Sequence, residues 1–294
     1  MGEVDPRGDL ASSANLLALA TRVESEGRYN VAKLLRAAVT ARAQREADEA
    51  LAAAPRGDGL LEALAEVADA FAADPLLAPL SDPLRAGTRT FAAGGVPLID
   101  AVPDPRVCRR CGHVAIAEAP EACPRCAADG VTFLVQRPVW WLERYDPAAA
   151  LAQLERTPGR VRALLDRISA PDWSRRPEPN TWSPHEVLSH LGDAQGVLEQ
   201  RVAAILEHDD PDLEAKMVWS WNQEARPATT QEVLDTYLAS RARVLERLRG
   251  VPADAWWRTG RHREFGRLTL TQQVSYFAAH EPTHLRQLAA AARG

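Results

Sequence analysis

Apolar residues recur at helical spacing over roughly the first quarter of the chain. From residue 10 to about residue 75 they repeat every three or four positions, as in LASSANLLALATRVESEG. The string PRGDG interrupts the pattern, which resumes in LLEALAEVADAFAAD. Prolines and glycines are frequent from Asp74 to Pro105, which predicts a linker or irregular packing there. The pattern therefore predicts an N-terminal helical module with a linker over residues 1–100.

A second helical pattern runs from about Pro147 to the last residues. Its four amphipathic segments each begin at a residue type that caps helices, and Pro, Glu or Gln in the first turn supports several of these caps. The predicted caps are Thr157 with Pro158, Ser183 with Pro184 and Glu186, Thr229, and Thr269 with Gln272. Four such helices, joined by loops of which two are long, predict a four-helix bundle over residues 145–294 in a mainly α protein.

All four cysteines fall in one short segment between the two helical parts. Cys108 and Cys111 form one Cys-x-x-Cys pair, and Cys123 and Cys126 form a second. Two such pairs can close a tetrahedral site of four thiolates around one metal ion. Free or disulfide-bonded cysteines are the alternative, but thiols stay reduced in the cytoplasm, where this protein is expected. A small metal domain is therefore predicted over residues 101–140.

The string VCRRCGHVAIAEAPEACPRCAADGVTF around these cysteines resembles the rubredoxin-like domain at the end of rubrerythrins. The match includes Gly112, the approach APEACPRC to the second pair, and Phe133 beyond it. It departs at Ala127, where that family usually has glycine. The resemblance implies either iron with electron transfer or zinc as a structural staple, since four tetrahedral thiolates accept both metals.

The N-terminal string NLLALATRVESEGRYNVAKLLRAAVTARAQREA is faintly similar to a helical hairpin of the rubrerythrin body. A di-iron bundle needs inward glutamates and Glu-x-x-His motifs. No histidine precedes His113 in the sequence, so the N-terminal module has no such motif. We therefore assign no metal to residues 1–100.

Composition and charge exclude several classes of protein. Hydrophobic residues make up 46% of the chain and charged residues 26%, which is ordinary for a globular protein. The formal net charge is −5, so no overall basic field favours nucleic acid. No apolar run approaches the length of a membrane span, and MGEVDPRGDL lacks the features of a signal peptide. A cytoplasmic protein without nucleic-acid or membrane partners is expected, and a homodimer is left open.

Three histidines occupy positions that suit a metal site built on helices. His280 and His284 are four residues apart in FAAHEPTHLRQL, so they lie on one helix face. His190 lies on an apolar face of the second bundle helix and is expected to point inward. Three imidazoles can hold a divalent ion and leave positions open, as in catalytic zinc sites. Asp193, one turn after His190, is either a hydrogen-bond partner of that site or a solvated charge.

Hydrogen-bonded core histidines are the alternative for these three positions, because a single His-x-x-x-His spacing is common. The other four histidines lack such a context and are expected at the surface. They are His113, His185, His208 and His262.

The region from about Leu154 onward resembles the DinB-like family of metal-binding four-helix proteins. The resemblance is carried, in order, by TPGRVRALLDRI, NTWSPHEVLSHLGDAQ, VPADAWW and RHREFGRLTLTQQVSYFAAHEPTHLRQL. In that family one histidine of the second helix and two of the last helix bind one divalent ion. The resemblance places His190, His280 and His284 at those positions, with zinc, nickel or manganese as candidate ions.

Several members of that family are transferases or isomerases that use a low-molecular-weight thiol such as mycothiol or bacillithiol. The resemblance therefore implies a metal-dependent thiol transferase or isomerase that acts on a small molecule. A divalent ion can lower the pKa of a bound thiol or water and create a nucleophile near neutral pH. No side chain stands out in the sequence as a general base. A metal-dependent hydrolase, a rubredoxin-type redox protein and a non-enzymatic scaffold of zinc ribbon and helices remain alternatives.

Overall fold

The chain divides into two compact units. A computed structural model describes residues 12–178, 181–213 and 229–292. The string MGEVDPRGDL, for which no signal peptide is predicted, lies outside these residues. The units comprise residues 1–93 with 105–135, and residues 94–104 with 136–294. The division into three domains stays a prediction.

Two helical hairpins form the first part of the first unit. Helix α1 packs against α2, and α3 packs against α4. The four helices are α1 (Ser13–Ser25), α2 (Tyr29–Leu51), α3 (Asp58–Ala73) and α4 (Ala78–Ala92). The apolar pattern of the sequence therefore located α1, α2 and α3.

A shared carboxylate ties α1 to its surroundings in the first unit. Glu24, near the end of α1, accepts a hydrogen bond from Arg36 of α2 at 2.7 Å. Its other oxygen accepts from Arg109 of the cysteine segment, also at 2.7 Å. The hydrogen bond from Arg36, helped by the charge of Arg109 and opposed by burial, lowers the pKa of Glu24.

The prediction of a linker from Asp74 to Pro105 is wrong where α4 forms. Pro79 lies at the start of this helix, where a missing N–H costs little because those groups lack partners within the helix. Pro83 lies about one turn further on and removes one hydrogen bond. Packing compensates for that loss, since buried Ser81 donates to a backbone carbonyl of α3 at 2.7 Å. Proline frequency was therefore a poor guide here.

The cysteine segment folds into a three-stranded antiparallel sheet. Strand β1 (Pro105–Cys108) lies between β2 (Val114–Ile116) and β3 (Phe133–Val135). Cys108, the last residue of β1, lies opposite Phe133 in the register, so the first cysteine pair begins at the end of this strand. Buried Phe133 packs against the cysteines and supplies the apolar part of this small core.

Four long helices make up most of the second unit among the residues that the structure describes. Helix α8 packs against α5 and α6, and α7 packs against α6 and α5. These helices are α5 (Pro147–Leu165), α6 (Pro184–Glu207), α7 (Thr230–Arg249) and α8 (Leu270–Ala291). The prediction of a mainly α chain with a C-terminal four-helix bundle is confirmed.

Three of the four predicted helix starts are present in the structure. Ser183, Thr229 and Thr269 each accept a hydrogen bond from the backbone of the third residue after them. The Glu or Gln at that third position accepts from the backbone of the cap, which closes a capping box. The sequence thus located the starts of α6, α7 and α8.

The predicted start of the first bundle helix at Thr157 and Pro158 is wrong. Helix α5 begins at Pro147, and the Asp146 side chain caps it. Thr157 lies inside the helix and its hydroxyl donates to the carbonyl of Gln153 at 3.0 Å. The buried face of α5 continues on both sides of Pro158, so packing outweighs the one hydrogen bond that proline removes.

A small sheet lies against the bundle within the second unit. Strands β5 (Thr259–His262) and β6 (Gly266–Thr269) form a hairpin, and β4 (Asp212–Leu213) pairs with β5 in parallel. A Cβ at Gly260 would lie 2.9 Å from the Leu213 side chain, so glycine allows this close approach. Among the described helices, none is both long and apolar enough to cross a membrane.

Candidate metal centres

The three predicted histidines meet inside the bundle. His190 comes from α6, and His280 and His284 come from adjacent turns of α8. The Nε2 atom of His280 lies 2.9 Å from that of His284 and 3.4 Å from that of His190. Three nitrogens around a tetrahedral zinc ion would lie about 3.4 Å apart, given metal–nitrogen distances of about 2.0–2.1 Å. The donor set and its spacing therefore fit a divalent ion.

Burial keeps these imidazoles in the neutral form that binds metals. Desolvation, followed by the charge of His284, lowers the pKa of His190 to about 4. Desolvation, followed by His284 and His190, lowers the pKa of His280 to about 3. His284 also has a lowered pKa because of burial, although its hydrogen bond to Gln287 opposes the shift.

One hydrogen bond fixes the orientation of a ring. The Nδ1 atom of His284 lies 2.9 Å from the Oε1 atom of Gln287. Because an amide oxygen only accepts, Nδ1 donates, and the lone pair of Nε2 then faces the other two histidines. Such a partner on the far nitrogen is typical of metal-binding histidines.

Aromatic side chains enclose the histidine cluster. Trp182 stacks on His284 with an interplanar angle of 8°. The edge of Trp141 contacts His280 at a centroid distance of 5.1 Å, and Tyr276 stacks on the same ring at 5.8 Å. These rings restrict both water access and the rotamers of the histidines.

A cavity of about 60 Å³ adjoins the histidine cluster. His190 and His280 form part of its wall, and the other polar residues that line it include Arg201, His262 and Glu264. Arg201 is buried and lies 3.0 Å from the Nε2 atom of His262, and it donates to Gln273 at 3.3 Å. The cavity therefore places charged and polar groups beside the histidine cluster.

The expectation that His262 lies at the surface is wrong. It ends β5, is 4% exposed, and stacks on Phe265 with ring centroids 4.5 Å apart. Burial and the nearby charge of Arg201 lower its pKa to about 3. Of the other histidines expected at the surface, His208 is exposed, whereas His113 and His185 are partly buried.

The four cysteine sulfurs converge in the first unit. Cys108 and Cys126 have sulfurs 3.8 Å apart, and those of Cys111 and Cys123 are 3.6 Å apart. A tetrahedral ion with metal–sulfur bonds of about 2.3 Å gives sulfur–sulfur distances of about 3.8 Å. The cluster therefore has the dimensions of a four-thiolate metal site.

Hydrogen bonds favour thiolate at Cys108. Burial raises the pKa of Cys108, but the amides of Cys111 and Arg110, helped by the Thr132 hydroxyl, together outweigh burial and bring that pKa to about 6. A hydrogen bond from the backbone of His113 lowers the pKa of Cys111, but burial and the neighbouring thiols outweigh it and raise that pKa when no metal is bound. Thiolate is the form that binds zinc or iron, so Cys108 is the cysteine of this pair that is ready to bind a metal.

The chain turns about each cysteine pair in the same way. The amide of Gly112 donates to the carbonyl of Cys108 at 2.9 Å, and the amide of Ala127 donates to that of Cys123 at 2.8 Å. Both Gly112 and Ala127 have left-handed backbone, with φ of 77° and 55°. This conformation costs alanine about 1–2 kcal/mol and glycine almost nothing. The departure from glycine at Ala127 therefore strains the second turn and leaves its hydrogen bonds intact.

Residues 153–288 match the family model of the DinB superfamily. These residues form a DinB-like bundle. Among solved structures, YfiT from Bacillus subtilis, described as a probable metal-dependent hydrolase with an unusual four-helix bundle topology, is similar with a TM-score of 0.47 and 16% identity. The similarity covers 54% of this chain and 92% of YfiT. No curated protein matches the chain.

One buried arginine joins all four helices of the DinB-like bundle. Arg241 of α7 donates to Gln195 of α6 at 2.7 Å and to the carbonyl of Leu154 of α5 at 2.8 Å. It also pairs with Glu281 of α8, next to His280, and both charged side chains are almost fully buried. This network holds α8, which carries two of the three histidines, against the other helices.

Part of the candidate site was missed in the sequence. Arg201 lies on the same face of α6 as His190, eleven residues later, so helical spacing alone could have marked it. Glu264 lies on the turn between β5 and β6, and no spacing in the sequence relates it to the histidines. Asp193 is half-buried, and its role as a partner of His190 stays a prediction.

Proposed function

We propose that the DinB-like bundle is a metal-dependent enzyme in which His190, His280 and His284 hold one divalent ion. The convergence of three neutral imidazoles with their Nε2 atoms 2.9 and 3.4 Å apart is the observation that supports this proposal. With the proton of His284 on Nδ1, the Nε2 lone pair of that ring faces the other two Nε2 atoms, which is the orientation that a metal ligand has. Zinc, nickel and manganese are the candidate ions.

The ion, when bound, lowers the pKa of a thiol or water ligand and so makes a nucleophile near neutral pH. Three neutral ligands suit this task, because they leave the full charge of the ion in place. Trp141 and Trp182 limit water at the site, and Gln287 holds His284 in the binding tautomer.

The nucleophile that we propose is a low-molecular-weight thiol. The reaction would transfer this thiol to an electrophilic small molecule, or isomerise a substrate through a thiol adduct. The resemblance of the histidine positions to those of thiol-dependent DinB-like enzymes supports this choice. Mycothiol, bacillithiol and glutathione are the thiols to compare.

Hydrolysis is the second candidate, and the polar wall of the cavity favours it. Arg201, His262 and Glu264 line the cavity beside His190 and His280 and carry groups that can hydrogen-bond to water. Water would then replace the thiol as nucleophile at the same ion. The two candidates share the metal site and differ in the ligand that enters it.

Direct binding separates these candidates. Protein loaded with zinc, nickel or manganese is titrated with each thiol, and the heat or the ligand-field spectrum reports binding. We expect one thiol to bind in a way that His280→Ala abolishes and Cys123→Ser preserves. If no thiol binds in a histidine-dependent manner, the transferase is excluded and hydrolysis becomes the leading candidate.

The cysteine site has a separate role in this proposal. We propose that its ion is a structural staple, because the segment around it has only a very small apolar core. Iron with electron transfer is the alternative. Visible absorption and metal analysis of aerobically purified protein decide the point, since an iron site is red and a zinc site is colourless.

A further inference from the structure

The turn that joins β5 and β6 forms part of the wall of the cavity beside the histidine cluster. Glu264 lies on this turn and lines the cavity together with His190 and His280. Of the described residues that line it, Glu264 carries the one carboxylate. A group bound at the ion would therefore share the cavity with this carboxylate.

The turn is held in place from several directions. The backbone N–H groups of Glu264 and Phe265 each lie 3.2 Å from the Nδ1 atom of buried His262. The carbonyl of Arg263 accepts a hydrogen bond from the amide of Ile99 at 3.0 Å. Because a neutral imidazole accepts at one nitrogen only, His262 accepts from either the turn or Arg201. The hydrogen bond from Ile99 therefore holds the turn that carries Glu264 in either tautomer of His262.

The charges around the cavity suit a carboxylate that gains and loses a proton. Burial raises the pKa of Glu264 above its ordinary value, and the charge of Arg201 opposes part of that rise. His262 is neutral near pH 7, since its pKa is lowered to about 3. Tyr276 stays protonated, because burial raises its pKa. Glu264 is therefore the group in this wall that is best able to accept a proton at neutral pH.

We propose that Glu264 is the proton acceptor of the three-histidine centre. Its carboxylate takes the proton that a thiol, or another weak acid, loses when its anion binds the ion held by His190, His280 and His284. The S–H bond breaks, the electron pair stays on sulfur, and an O–H bond forms at Glu264, so no proton reaches the buffer. This inference rests on the metal site proposed above, and it supplies the general base that the sequence did not reveal.

The test counts protons released on ligand binding. Zinc-loaded full-length protein is titrated at about pH 7.5 with 2-mercaptoethanol and, separately, with acetohydroxamic acid, both of which bind zinc as anions. Calorimetry in two buffers of different ionisation heat gives the number of protons released per ligand bound. We expect almost none from the wild type, about one from Glu264→Gln, and almost none from Glu264→Asp, which keeps a carboxylate.

Two controls isolate the role of Glu264. Glu207→Gln removes a carboxylate that pairs with Arg247 on the exposed surface, and it should behave as the wild type. His280→Ala should bind neither probe. Zinc content is measured for every variant, and Glu264→Gln should retain the zinc of the wild type.

The other outcomes would overturn the proposal or part of it. If the wild type and Glu264→Gln each release one proton, Glu264 does not accept the proton and the proposal is wrong. Loss of zinc from Glu264→Gln would also overturn it. If acetohydroxamic acid binds and no thiol does, the proposed thiol reaction is wrong. The number of protons released on hydroxamate binding then still tests whether Glu264 accepts a proton. If neither probe binds in a His280-dependent manner, the metal site and this proposal fail together.

Discussion

The two turns around the cysteine pairs offer a reciprocal test of backbone strain. Gly112 and Ala127 occupy equivalent positions, and both have positive φ. We predict that Ala127→Gly strengthens metal binding at the cysteine site and that Gly112→Ala weakens it. A Cβ at Gly112 would meet no heavy atom within 4 Å, so the second change tests conformation without a clash.

The size of the effect follows from two opposing terms. A left-handed alanine costs about 1–2 kcal/mol in the folded state. Glycine loses about 0.4–1 kcal/mol more than alanine through the entropy of the unfolded chain. The net change is about 1 kcal/mol, favourable for Ala127→Gly and unfavourable for Gly112→Ala, which corresponds to about a fivefold change in affinity.

Competition between the full-length protein and a chromophoric chelator for zinc measures this change. The apparent dissociation constant of the cysteine site should fall about fivefold in Ala127→Gly and rise about fivefold in Gly112→Ala. The double variant should return close to the wild type. Weaker zinc binding by Ala127→Gly would refute the reasoning, because it would show that the left-handed alanine carries no strain.

Three further predictions concern stability. Cys108→Ser should release the metal of the cysteine segment and increase hydrogen exchange there while the bundle keeps its protection; loss of bundle protection would contradict this. Arg241→Met should lower the free energy of unfolding in urea by about 3–5 kcal/mol, because it leaves the charge of Glu281 buried and unpaired. Arg247→Met removes an exposed ion pair and should lower that free energy by at most about 1 kcal/mol. Equal losses in the two variants would refute the argument. The fold keeps His262 neutral, with its pKa lowered from 6.5 to about 3. Its contribution to the free energy of unfolding is therefore complete above about pH 6.5 and is lost as the pH falls toward 3. Metal-free wild type should therefore lose about 2 kcal/mol more than His262→Asn between about pH 7.5 and pH 5, and equal losses in urea titrations would show that His262 titrates normally.

Local signals in the sequence located most of the fold. The caps at Ser183 and Thr269 were readable because each combines a side-chain acceptor with Glu or Gln three residues later. The cap at Thr229 was readable from a threonine that precedes an amphipathic segment. Thr157 and Pro158 carry a similar signal and yet lie inside α5. A cap motif competes with burial, and here the continuous apolar face of the helix decided the outcome.

The residues of the candidate site also divide into those that the sequence could predict and those that it could not. His280 and His284 share a helix turn, so sequence spacing alone placed them together, and His190 followed from its apolar face. Glu264 could not be found in this way, because it reaches the cavity through the packing of the β5–β6 hairpin against the bundle. Spacing predicts neighbours within one element, whereas neighbours across elements depend on tertiary packing.

Metal content tests the central claim most directly. Wild-type protein and His284→Ala are purified, dialysed against buffer containing zinc and then against metal-free buffer, and their metal is counted by mass spectrometry. We expect two ions per wild-type chain, of which thiol reagents release one, and a single ion in His284→Ala with the helical circular dichroism of the wild type. Equal metal content in the two proteins, or a wild type whose only ion is released by thiol reagents, would contradict a three-histidine metal centre.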